Sequence, residues 1–505
     1  MWRDTCLILG MCIDNVTLQE CADRIFEIIE SYSQHKTASY AATVNVDFLV
    51  NTHSCLLNRT RRPELLESLR SAGLITADGM PLIWISWMLG CPLKERVTGA
   101  DLIPVLAEQA AKRNKKMYFL GGRPGSGTAT AQLLEEKYPG FSVSGVQLAT
   151  VEVEGRELSN SIEHDCVFID SINQSDVDIL LLSLGNPRQE VWFHRNRDEL
   201  NVPVSIGIGG TFEVLAGAVS RAPKWMQNWG MEWIFRILQE PKRLWKRYLI
   251  GFFKITAFAF PLVFYYSWRR IMYLMYLKKT SHQYIKYRFP ATQKKGVSVL
   301  KFSACIDHDI LPLLKKTEEE ITRISVLILD FKEAMLVSPT GMGYLIQLMR
   351  KMRSASVSVC MLNVPAHIRK LMICNRIWDV FAPLVFPSIE SVFHSFFSTI
   401  NEKTLLYDMQ ESATEVNVYI FGKLENKTDS AEFLSKIMSK AAGKKCSIDF
   451  SHCISIGNAG LKMLIDLHDA LAEQGENCVL NALNDRCRQM LCISKIDTMF
   501  TIAKK

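Results

Sequence analysis

Short apolar runs alternate with helical patterns over residues 1–210, and this alternation limits the fold more than any other feature of the chain. Each run ends in Gly, Asn or a polar turn and has the length of a buried strand, whereas the segments between the runs have helical periodicity. The runs are CLILGMCI, SYAATVNV, KMYFLGG, SVSGVQL, DILLLSLG and VPVSIGIGG. Strands joined by crossover helices form a mostly parallel sheet that is covered on both faces. We therefore predict an α/β domain with a Rossmann-like, mostly parallel sheet.

Polar side chains follow several of these runs, at the sheet edge where such folds bind ligands. Asp78 comes directly after an apolar run, in a turn closed by glycine. A carboxylate at a strand end suits a general base that takes a proton from an attacking hydroxyl; the alternative is a cap on the following helix. Thr43 and Asn45 end another run and would lie in the same crevice. Their side chains could hydrogen-bond a polyol such as a sugar.

Two glycine-containing loops are candidates for binding phosphate. The loop GGRPGSG, Gly121 to Gly127, follows a strand and opens a helix, so its backbone amides could approach phosphate oxygens. It fits neither G-x-G-x-x-G nor the P-loop. The loop GNPRQE offers Arg188 to a phosphate and Gln189 to a sugar or base, and Arg96 is a further phosphate candidate. Each arginine alone could be an ordinary solvated side chain; their convergence on one sheet edge favours a ligand site.

Residues 211–280 predict a helical, membrane-associating appendage. The stretch 221–247 holds seven Lys or Arg and two acids, and on a helix Trp225, Trp229 and Trp233 would form one stripe. The apolar tract 249–268 follows, with one charge in twenty residues. Tryptophans, cations and an apolar tract together suit the headgroup layer of a bilayer. Lys254 and Pro261 inside the tract favour an interfacial or re-entrant element; the alternatives are a single span and a buried core helix.

The last two hundred residues contain two copies of one module. Asp330 and Asp449 lie 119 residues apart, and the same offset links Gly341 to Gly460 and further landmarks along both copies. Each copy has the pattern strand, acidic turn, glycine-initiated helix, strand and helix. We predict two small α/β domains over 295–400 and 412–505, with KKGVSV and NEKTLLYDMQESATEV as linkers.

Composition excludes several classes of function. The net charge of +7 is too modest to suggest nucleic acid. Fourteen cysteines include no C-x-x-C pair, which predicts reduced thiols rather than a zinc site or disulfide framework. Asp176-Val-Asp178 would lie at the N-terminal start of its strand, the wrong sheet edge for a metal–ligand site. The N-terminus has no signal-peptide pattern, so we expect a cytosolic chain attached to the membrane from that side.

The motifs of the first half resemble one family. TVN, ITADGMPL with ERVTGADL, FLGGRPG, LSLGNPRQE, GIGGTFEVLAG and RAPKWM with GMEWIFRILQEPKRLWKRYL occur over about residues 5–250 in the order seen in the WecG/TagA/CpsF glycosyltransferases, glycosyltransferase family 26. The resemblance implies transfer of N-acetylmannosamine, its uronic acid or glucose from a UDP-sugar to a polyprenyl-diphosphate-linked acceptor. It also implies inversion of the anomeric centre, action at the cytoplasmic face of the membrane, and no cofactor or metal.

The same resemblance assigns roles to individual residues. It implies that Asp78 is the general base, that Thr43 and Asn45 lie beside the sugar, and that Arg236 and Arg243 close over the site and steady the leaving diphosphate. The remaining positions implied or expected to bind the donor are Arg96, Gly121, Gly122, Gly185, Arg188, Gln189, Gly210 and Glu213. The segment after Gly145 lacks the family's Gly-aromatic element, so no uracil pocket is predicted.

The two C-terminal modules resemble STAS domains, which implies regulation and a protein partner. In that family a Ser or Thr before the helix glycine can be phosphorylated. The first copy has Ser338-Pro339-Thr340-Gly341, which makes Thr340 the phosphate acceptor and Ser338 the weaker candidate, whereas the second copy has Ala459. Plain interaction modules are the alternative. The alternative function for the whole chain is a non-enzymatic UDP-sugar-sensing scaffold that signals through these domains.

Overall fold

The computed structural model describes residues 2–53, 61–153, 158–276, 285–289, 296–319, 324–396, 406–424, 427–441, 443–483, 485–493 and 496–503. The elements of the first half are β1 (Thr5–Ile8), β2 (Met11–Asp14), α1 (Leu18–His35), β3 (Ser39–Val44), α2 (Val46–Thr52), α3 (Pro63–Ser71), β4 (Leu74–Ala77), α4 (Met80–Met88), α5 (Gly99–Arg113), β5 (Lys116–Gly121), α6 (Ser126–Lys137), β6 (Ser142–Gln147), α7 (Leu158–Gln174), β7 (Ile179–Ser183), α8 (Arg188–Asn196), β8 (Val204–Gly207), α9 (Thr211–Leu215), α10 (Lys224–Asn228), α11 (Glu232–Gln239) and α12 (Pro241–Tyr276).

A six-stranded sheet in the order β4-β3-β8-β7-β5-β6 forms the centre of the first domain. Every neighbouring pair within it is parallel. Strands β4, β7 and β8 are buried at every position, which is why they appear in the sequence as unbroken apolar runs. The predicted parallel α/β sheet is therefore confirmed.

The first apolar run differs from its prediction. CLILGMCI does not enter the parallel sheet; it forms an antiparallel hairpin of β1 and β2. The chain reverses at Leu9 and Gly10, both with positive φ, and a glycine adopts that backbone conformation without steric cost. The sulfur atoms of Cys6 and Cys91 lie 2.15 Å apart as a disulfide between β1 and the chain after α4, which corrects the expectation that all cysteines are thiols. The other cysteines within the described ranges are thiols.

The appendage forms three helices instead of one striped helix. Gly230, with a positive φ, separates α10 from α11, so Trp225 and Trp233 lie on different helices. The apolar tract forms the middle of the long helix α12. Its segment Leu244–Met275, with a mean hydropathy of 1.6, is long and apolar enough to cross a membrane by length and composition.

Helix α12 has two apolar faces. We define its inner stripe as the buried residues at helical spacing and its outer face as the exposed apolar residues between them. The inner stripe consists of Leu244, Gly251, Ile255, Phe258, Ala259, Leu262, Tyr265 and Tyr266. The outer face consists of Leu249, Ile250, Phe252, Phe253, Phe260, Phe264, Trp268, Ile271, Met272, Leu274 and Met275.

The elements of the C-terminal half follow the predicted repeat. The first copy contains β9 (Ile285–Phe289), β10 (Gly296–Ile306), α13 (Leu311–Glu319), β11 (Ile324–Val337), α14 (Pro339–Ser354), β12 (Ser358–Leu362), α15 (Ala366–Cys374), α16 (Trp378–Phe381) and α17 (Ile389–Phe396), with short 3-10 turns at His308–Ile310 and Ala382–Leu384. The second contains β13 (Leu406–Glu411), β14 (Glu415–Leu424), α18 (Lys427–Ala441), β15 (Lys445–Ile456), α19 (Asn458–Glu473), β16 (Cys478–Asn481), α20 (Asp485–Ile493) and β17 (Thr501–Ile502).

The two copies have the same sheet topology. The strand orders are β12-β11-β10-β9 and β17-β16-β15-β14-β13, so the second sheet has one strand more. In each copy the first strand pairs antiparallel with the second and the next pairs are parallel. Strand β13 lies inside the predicted linker NEKTLLYDMQESATEV, and β9 precedes the predicted start at residue 295. Both modules therefore begin earlier than predicted, because each opens with an edge strand.

Candidate active site

Five loops meet along the carboxyl edge of the large sheet. Strands β4, β3, β8, β7 and β5 are consecutive neighbours, so the loops that follow them, ADG, TVN, GGTFE, GNPRQE and GGRPGSG, lie side by side in that order. Parallel strands all present their carboxyl ends at one edge, which explains why residues far apart in the chain share this crevice.

Asp78 directly follows β4 and lies next to the end of β3. Its backbone N–H donates to Val44 O at 2.8 Å. The next residue, Gly79, lies beside Asn45: a Cβ added at Gly79 would be 3.6 Å from the Asn45 Cβ. Burial raises the pKa of Asp78 to about 7, against the lowering effect of Arg236 and Arg96. Within the described residues no side chain donates a hydrogen bond to its carboxylate. A half-buried, unengaged carboxylate of this pKa can accept a proton near neutral pH.

Glu232 holds two predicted arginines beside this carboxylate. Its buried side chain accepts from Arg96 Nη1 at 2.8 Å and from Arg236 Nη2 at 3.2 Å. Burial alone would raise the pKa of Glu232, but the hydrogen bond from Arg96 and the charge of Arg236 outweigh it and lower the pKa. Sequence reasoning missed Glu232, although GMEWIF is part of the quoted motif. The structure thus brings Arg96 and Arg236 together, next to Asp78.

A second ion pair that sequence reasoning missed fixes the appendage to the sheet. Arg221 binds the Asp101 carboxylate through both terminal nitrogens, at 2.7 and 3.2 Å. Asp101 in turn accepts from the hydroxyl of Thr98, the residue that caps α5, at 2.6 Å. This chain of bonds joins the ERVTGADL segment to the segment before α10, so α11 is held over the sheet edge.

Thr43 and Asn45 flank Asp78 as predicted, but Thr43 has a structural bond. Its hydroxyl donates to Gly207 O at 3.1 Å and is buried. Asn45 caps α2 by accepting from the Asp47 N–H at 3.0 Å, which leaves its amide nitrogen available to a ligand. Of the two, Asn45 is the better placed to contact a sugar.

The glycine loop after β5 is fixed by Glu213. Gly121 and Gly122 have positive φ, and a Cβ at Gly121 would lie 2.8 Å from Ser183 O, so only glycine fits. The Arg123 N–H donates to Glu213 Oε1 at 3.0 Å. Glu213 Oε2 is buried and has no partner among the described residues, and it lies next to Gly210. A buried acceptor without a protein donor can accept from an ordered water or from a ligand group.

The loop after β7 departs from its predicted contacts. Gln189 is buried and its Oε1 accepts from the Gly209 N–H at 3.0 Å, so it supports the neighbouring loop instead of facing a ligand. Beside it, Glu190 accepts from the Tyr40 hydroxyl at 2.9 Å and from Asn186 Nδ2 at 3.0 Å. Burial raises the pKa of Glu190 to about 7. This buried polar network lies under the site and was not predicted.

The remaining predicted residues have the following positions. Gly185 has a positive φ and open space around it. Arg188 is exposed and pairs with Glu152 at 2.9 Å, so in this structure it is engaged away from the sheet edge. Arg243 lies in the first turn of α12, and its side chain is outside the described part of the structure.

The two candidate phosphorylation residues differ in their availability. Ser338 is buried; its hydroxyl accepts from the Gly341 N–H at 2.9 Å and donates to Asp307 Oδ1 at 2.7 Å. It is therefore the N-cap of α14, which argues against its prediction as a phosphate acceptor. Thr340 lies in the first turn of α14 and is half-buried. Over the described residues no cluster of three or more His, Cys, Asp or Glu side chains could hold a metal ion.

Comparison with known proteins identifies the two halves. The Glycosyl transferase WecG/TagA/CpsF family model matches residues 6–270, more than half of the chain. The STAS domain model matches residues 288–392. Among solved structures, the unphosphorylated anti-sigma factor antagonist SpoIIAA is 15% identical, with 23% of this chain and 99% of that chain covered and a TM-score of 0.20.

Curated relatives match the first half. An N-acetylglucosaminyldiphosphoundecaprenol N-acetyl-beta-D-mannosaminyltransferase from Bacillus spizizenii is 28% identical over 222 residues, which are 44% of this chain and 82% of the relative. A protein of the same name from Staphylococcus aureus strain MRSA252 is 28% identical over 238 residues, 47% of this chain and 85% of the relative. The family match, together with the sheet edge that gathers Asp78, Arg96 and Arg236, shows that this chain is a glycosyltransferase of the WecG/TagA/CpsF family with a STAS domain after its transferase domain.

Proposed function

We propose that the chain transfers a sugar of the N-acetylmannosamine type from a UDP-sugar to a polyprenyl-diphosphate-linked acceptor, with inversion and without a metal. The names of the curated relatives support the acceptor class and the sugar. The observation that carries the proposal is the unengaged Asp78 carboxylate, with a pKa raised to about 7 and two arginines held beside it.

The chemistry proposed for the site is a single displacement. Asp78 accepts the proton of the acceptor hydroxyl as the hydroxyl oxygen bonds to the anomeric carbon. The bond from that carbon to the diphosphate oxygen breaks on the opposite face, and UDP departs with the electron pair. Arg96 and Arg236 would offset the charge that develops on the diphosphate. The open loops at Gly122, Gly185 and Gly210, with Glu213 Oε2, would receive the nucleotide.

The acceptor's lipid chain requires the active site to work at a membrane surface. We propose docking on the cytoplasmic face through the appendage, where Trp225, Trp229 and Trp233 are all exposed. Lys242 and Lys246 are exposed nearby and would contact anionic headgroups. The STAS domain supplies a surface for regulation or a protein partner, with Thr340 as the proposed phosphate acceptor.

Asp78→Asn tests the proposed base. The amide keeps the shape of the carboxylate but cannot take the proton, so sugar transfer should fall by about 10²–10⁴-fold. Transfer is measured as UDP release in the presence of a polyprenyl-diphosphate-linked N-acetylglucosamine, and UDP-sugar binding by calorimetry should remain within a few-fold of wild type. Asp176→Asn is the matched control, because Asp176 is an exposed carboxylate at the opposite sheet edge. Full transfer by Asp78→Asn would disprove the assignment.

A further inference from the structure

The helices α14 and α19 occupy equivalent positions in the two repeats but have different surroundings. We call the first copy, residues 285–396, STAS-1. At the 119-residue offset, Gly343 of α14 corresponds to Lys462 of α19, and Gln347 corresponds to Asp466. Lys462 and Asp466 are exposed, as expected for the solvent face of a helix. Gly343 and Gln347 are buried. The face that the second copy presents to water is therefore covered in STAS-1.

The hairpin of the transferase domain covers that face. The Gln347 amide pairs with the backbone of Arg3: Oε1 accepts from its N–H at 2.8 Å and Nε2 donates to its carbonyl at 2.8 Å. Gly343 packs directly on Thr5, whose Oγ1 fills the space that a Cβ would need. A charged side chain at either position, as in the second copy, would prevent this contact.

One further buried hydrogen bond and one exposed ion pair extend the interface. The Leu9 N–H donates to Asn375 Oδ1 at 2.8 Å in a buried position. Arg70 binds both carboxylate oxygens of Asp379, at 2.8 and 3.1 Å. The buried apolar residues of the hairpin and α12 form one continuous cluster with one face of the STAS-1 sheet, whereas the other face of that sheet and the second copy each have a separate cluster. STAS-1 is thus part of the transferase core, and the second copy has a core of its own.

STAS-1 and the transferase domain share the inner stripe of α12. In its first half, Gly251 lies beside Val46 of α2. Phe258 contacts the transferase's His53, with ring centroids 6.3 Å apart, and the Arg376 guanidinium of STAS-1, 4.8 Å from the ring. In its second half the stripe meets STAS-1: the Lys370 ammonium lies 4.8 Å from the Tyr265 ring.

Because both domains pack on the inner stripe, this packing limits how α12 can contact a bilayer. The inner stripe runs from Leu244 to Tyr266, about 33 Å at 1.5 Å per residue. A bilayer's hydrocarbon core is about 30 Å thick, so a spanning α12 would draw both domains into lipid. A helix with protein along one side and apolar side chains along the other can instead lie flat, with its outer face in the bilayer.

Helix α4 contributes to the same apolar surface. Its Trp84, Trp87 and Met88 are exposed, Trp87 by 58%. The end of α4 touches α12, because the Arg270 side chain occupies the space beside Gly90. Its start touches the α10–α11 turn, where a Cβ on Gly230 would lie 2.6 Å from Met80. Since α4 begins directly after Asp78 and Gly79, this surface leads to the proposed base.

We propose that STAS-1 is a fixed part of the membrane-docking unit: locked to the transferase through α14, it holds α12 in the plane of the bilayer with the outer face of α12 and the tryptophans of α4 in lipid. The occupant of this surface is a bilayer with anionic headgroups, since Lys242, Lys246 and Arg270 are exposed along α12. The inference rests on the membrane docking proposed above and adds the orientation of α12 and the role of STAS-1.

A depth profile tests the orientation. Spin labels are placed singly at Phe253, Phe260, Ile271 and Trp87 in the full chain, with the exposed Cys166 and Cys492 replaced by serine. In phosphatidylcholine–phosphatidylglycerol vesicles, all four labels should lie at one shallow depth. Depth that increases towards the middle of α12, as in a spanning helix, would overturn the proposal, as would a Trp87 label that remains in water. Failure of the unlabelled protein to bind vesicles would instead count against the membrane docking itself.

Gly343→Leu tests the role of STAS-1 by hydrogen exchange in solution and by vesicle binding. The new side chain must displace Thr5 and open the hairpin–α14 contact, while Lys462→Leu places the same residue on the exposed face of α19 as the control. Hydrogen exchange in α12 should become at least about tenfold faster in Gly343→Leu only, and its vesicle binding should weaken. Unchanged protection of β10–β12 shows that STAS-1 remains folded. Faster exchange confined to β1 and α14, with α12 and vesicle binding unchanged, would overturn the proposal.

Discussion

At the scale of single residues, motif and geometry agree on Asp78 but not on its neighbours. The ADG turn after an apolar run placed Asp78 at the ligand edge of the sheet, and the family resemblance selected it as the base over a helix cap. Glu232, 136 residues from Arg96 in the chain, could not be assigned, because its contact depends on how α11 folds over the sheet. Gln189 stays a predicted donor contact, although its side chain is buried and accepts from the Gly209 N–H, because a polar residue in a loop motif can point into the core.

The pKa of Asp78 leads to a prediction about pH. A general base must be ionised, so the transfer rate should rise with pH through about 7 and level off above it. Because burial raises this pKa above the usual 3.8, the folded state holds its proton longer than the unfolded state. The contribution of Asp78 to stability should therefore fall as pH rises from about 4 to about 7.

The pH dependence of the transfer rate and the pH dependence of stability can both be measured. Values of kcat/KM are recorded across pH, because they report the pKa of the free enzyme, and melting temperatures of wild type and Asp78→Asn are compared at pH 5 and 8. The variant should gain stability relative to wild type at the higher pH. A flat rate profile between pH 6 and 8 would contradict the assigned pKa.

At the scale of elements, the strands of the sheet were predicted well, whereas the turns that divide an apolar run or a helix were predicted poorly. The fully buried strands β4, β7 and β8 are unbroken apolar runs, and their type follows from length and flanking turns. The hairpin of β1 and β2 was missed because its run has the same composition as a sheet strand. The spacing of the tryptophans predicts one stripe on a single helix. In the structure Gly230 lies between α10 and α11, so Trp225 and Trp233 lie on different helices.

The exposed lysines at the start of α12 test the charge term in docking. Replacing Lys242 and Lys246 by glutamine should weaken binding to anionic vesicles, by about 1 kcal/mol per lysine at low ionic strength. The loss should shrink as salt is added, since surface charges are screened. Lys112→Gln with Lys137→Gln is the matched control, because α5 and α6 carry none of the exposed tryptophans. Vesicle co-sedimentation measures both; an equal loss in the two pairs would refute a local charge effect.

At the scale of the whole molecule, the sequence shows that the module is repeated, but it does not show that the two copies have different surroundings. A constant offset shows that two copies of a module exist, and the sheets confirm it. Nothing in the offset shows that one copy is built into the enzyme core. The difference between Gly343 and Lys462 was present in the sequence, but it has meaning only once the hairpin is known to lie on α14.

Equivalent leucines in the two copies test this asymmetry. Leu345 and Leu464 are fully buried at the same helix position, and truncating either to alanine should cost about 2–5 kcal/mol. Leu345 belongs to the core shared with the transferase and Leu464 to the separate core. Leu345→Ala should therefore lower the temperature at which transferase activity is lost, whereas Leu464→Ala should lower a separate calorimetric transition. Equal loss of heat resistance of activity in both variants would contradict separate cores.

The sequence by itself determined the parallel α/β fold, the family, the repeat and the candidate for the base, because each is recorded locally, in periodicity, turn residues or motif. Only the tertiary structure decided which arginines share Glu232, which repeat packs against the transferase domain and which side of α12 remains exposed. Those features arise from packing between residues distant in the chain. The apolar pattern of α12 is equally compatible with a span, a core helix and a helix lying on a membrane, and burial of its inner stripe is the observation on which the proposed orientation rests.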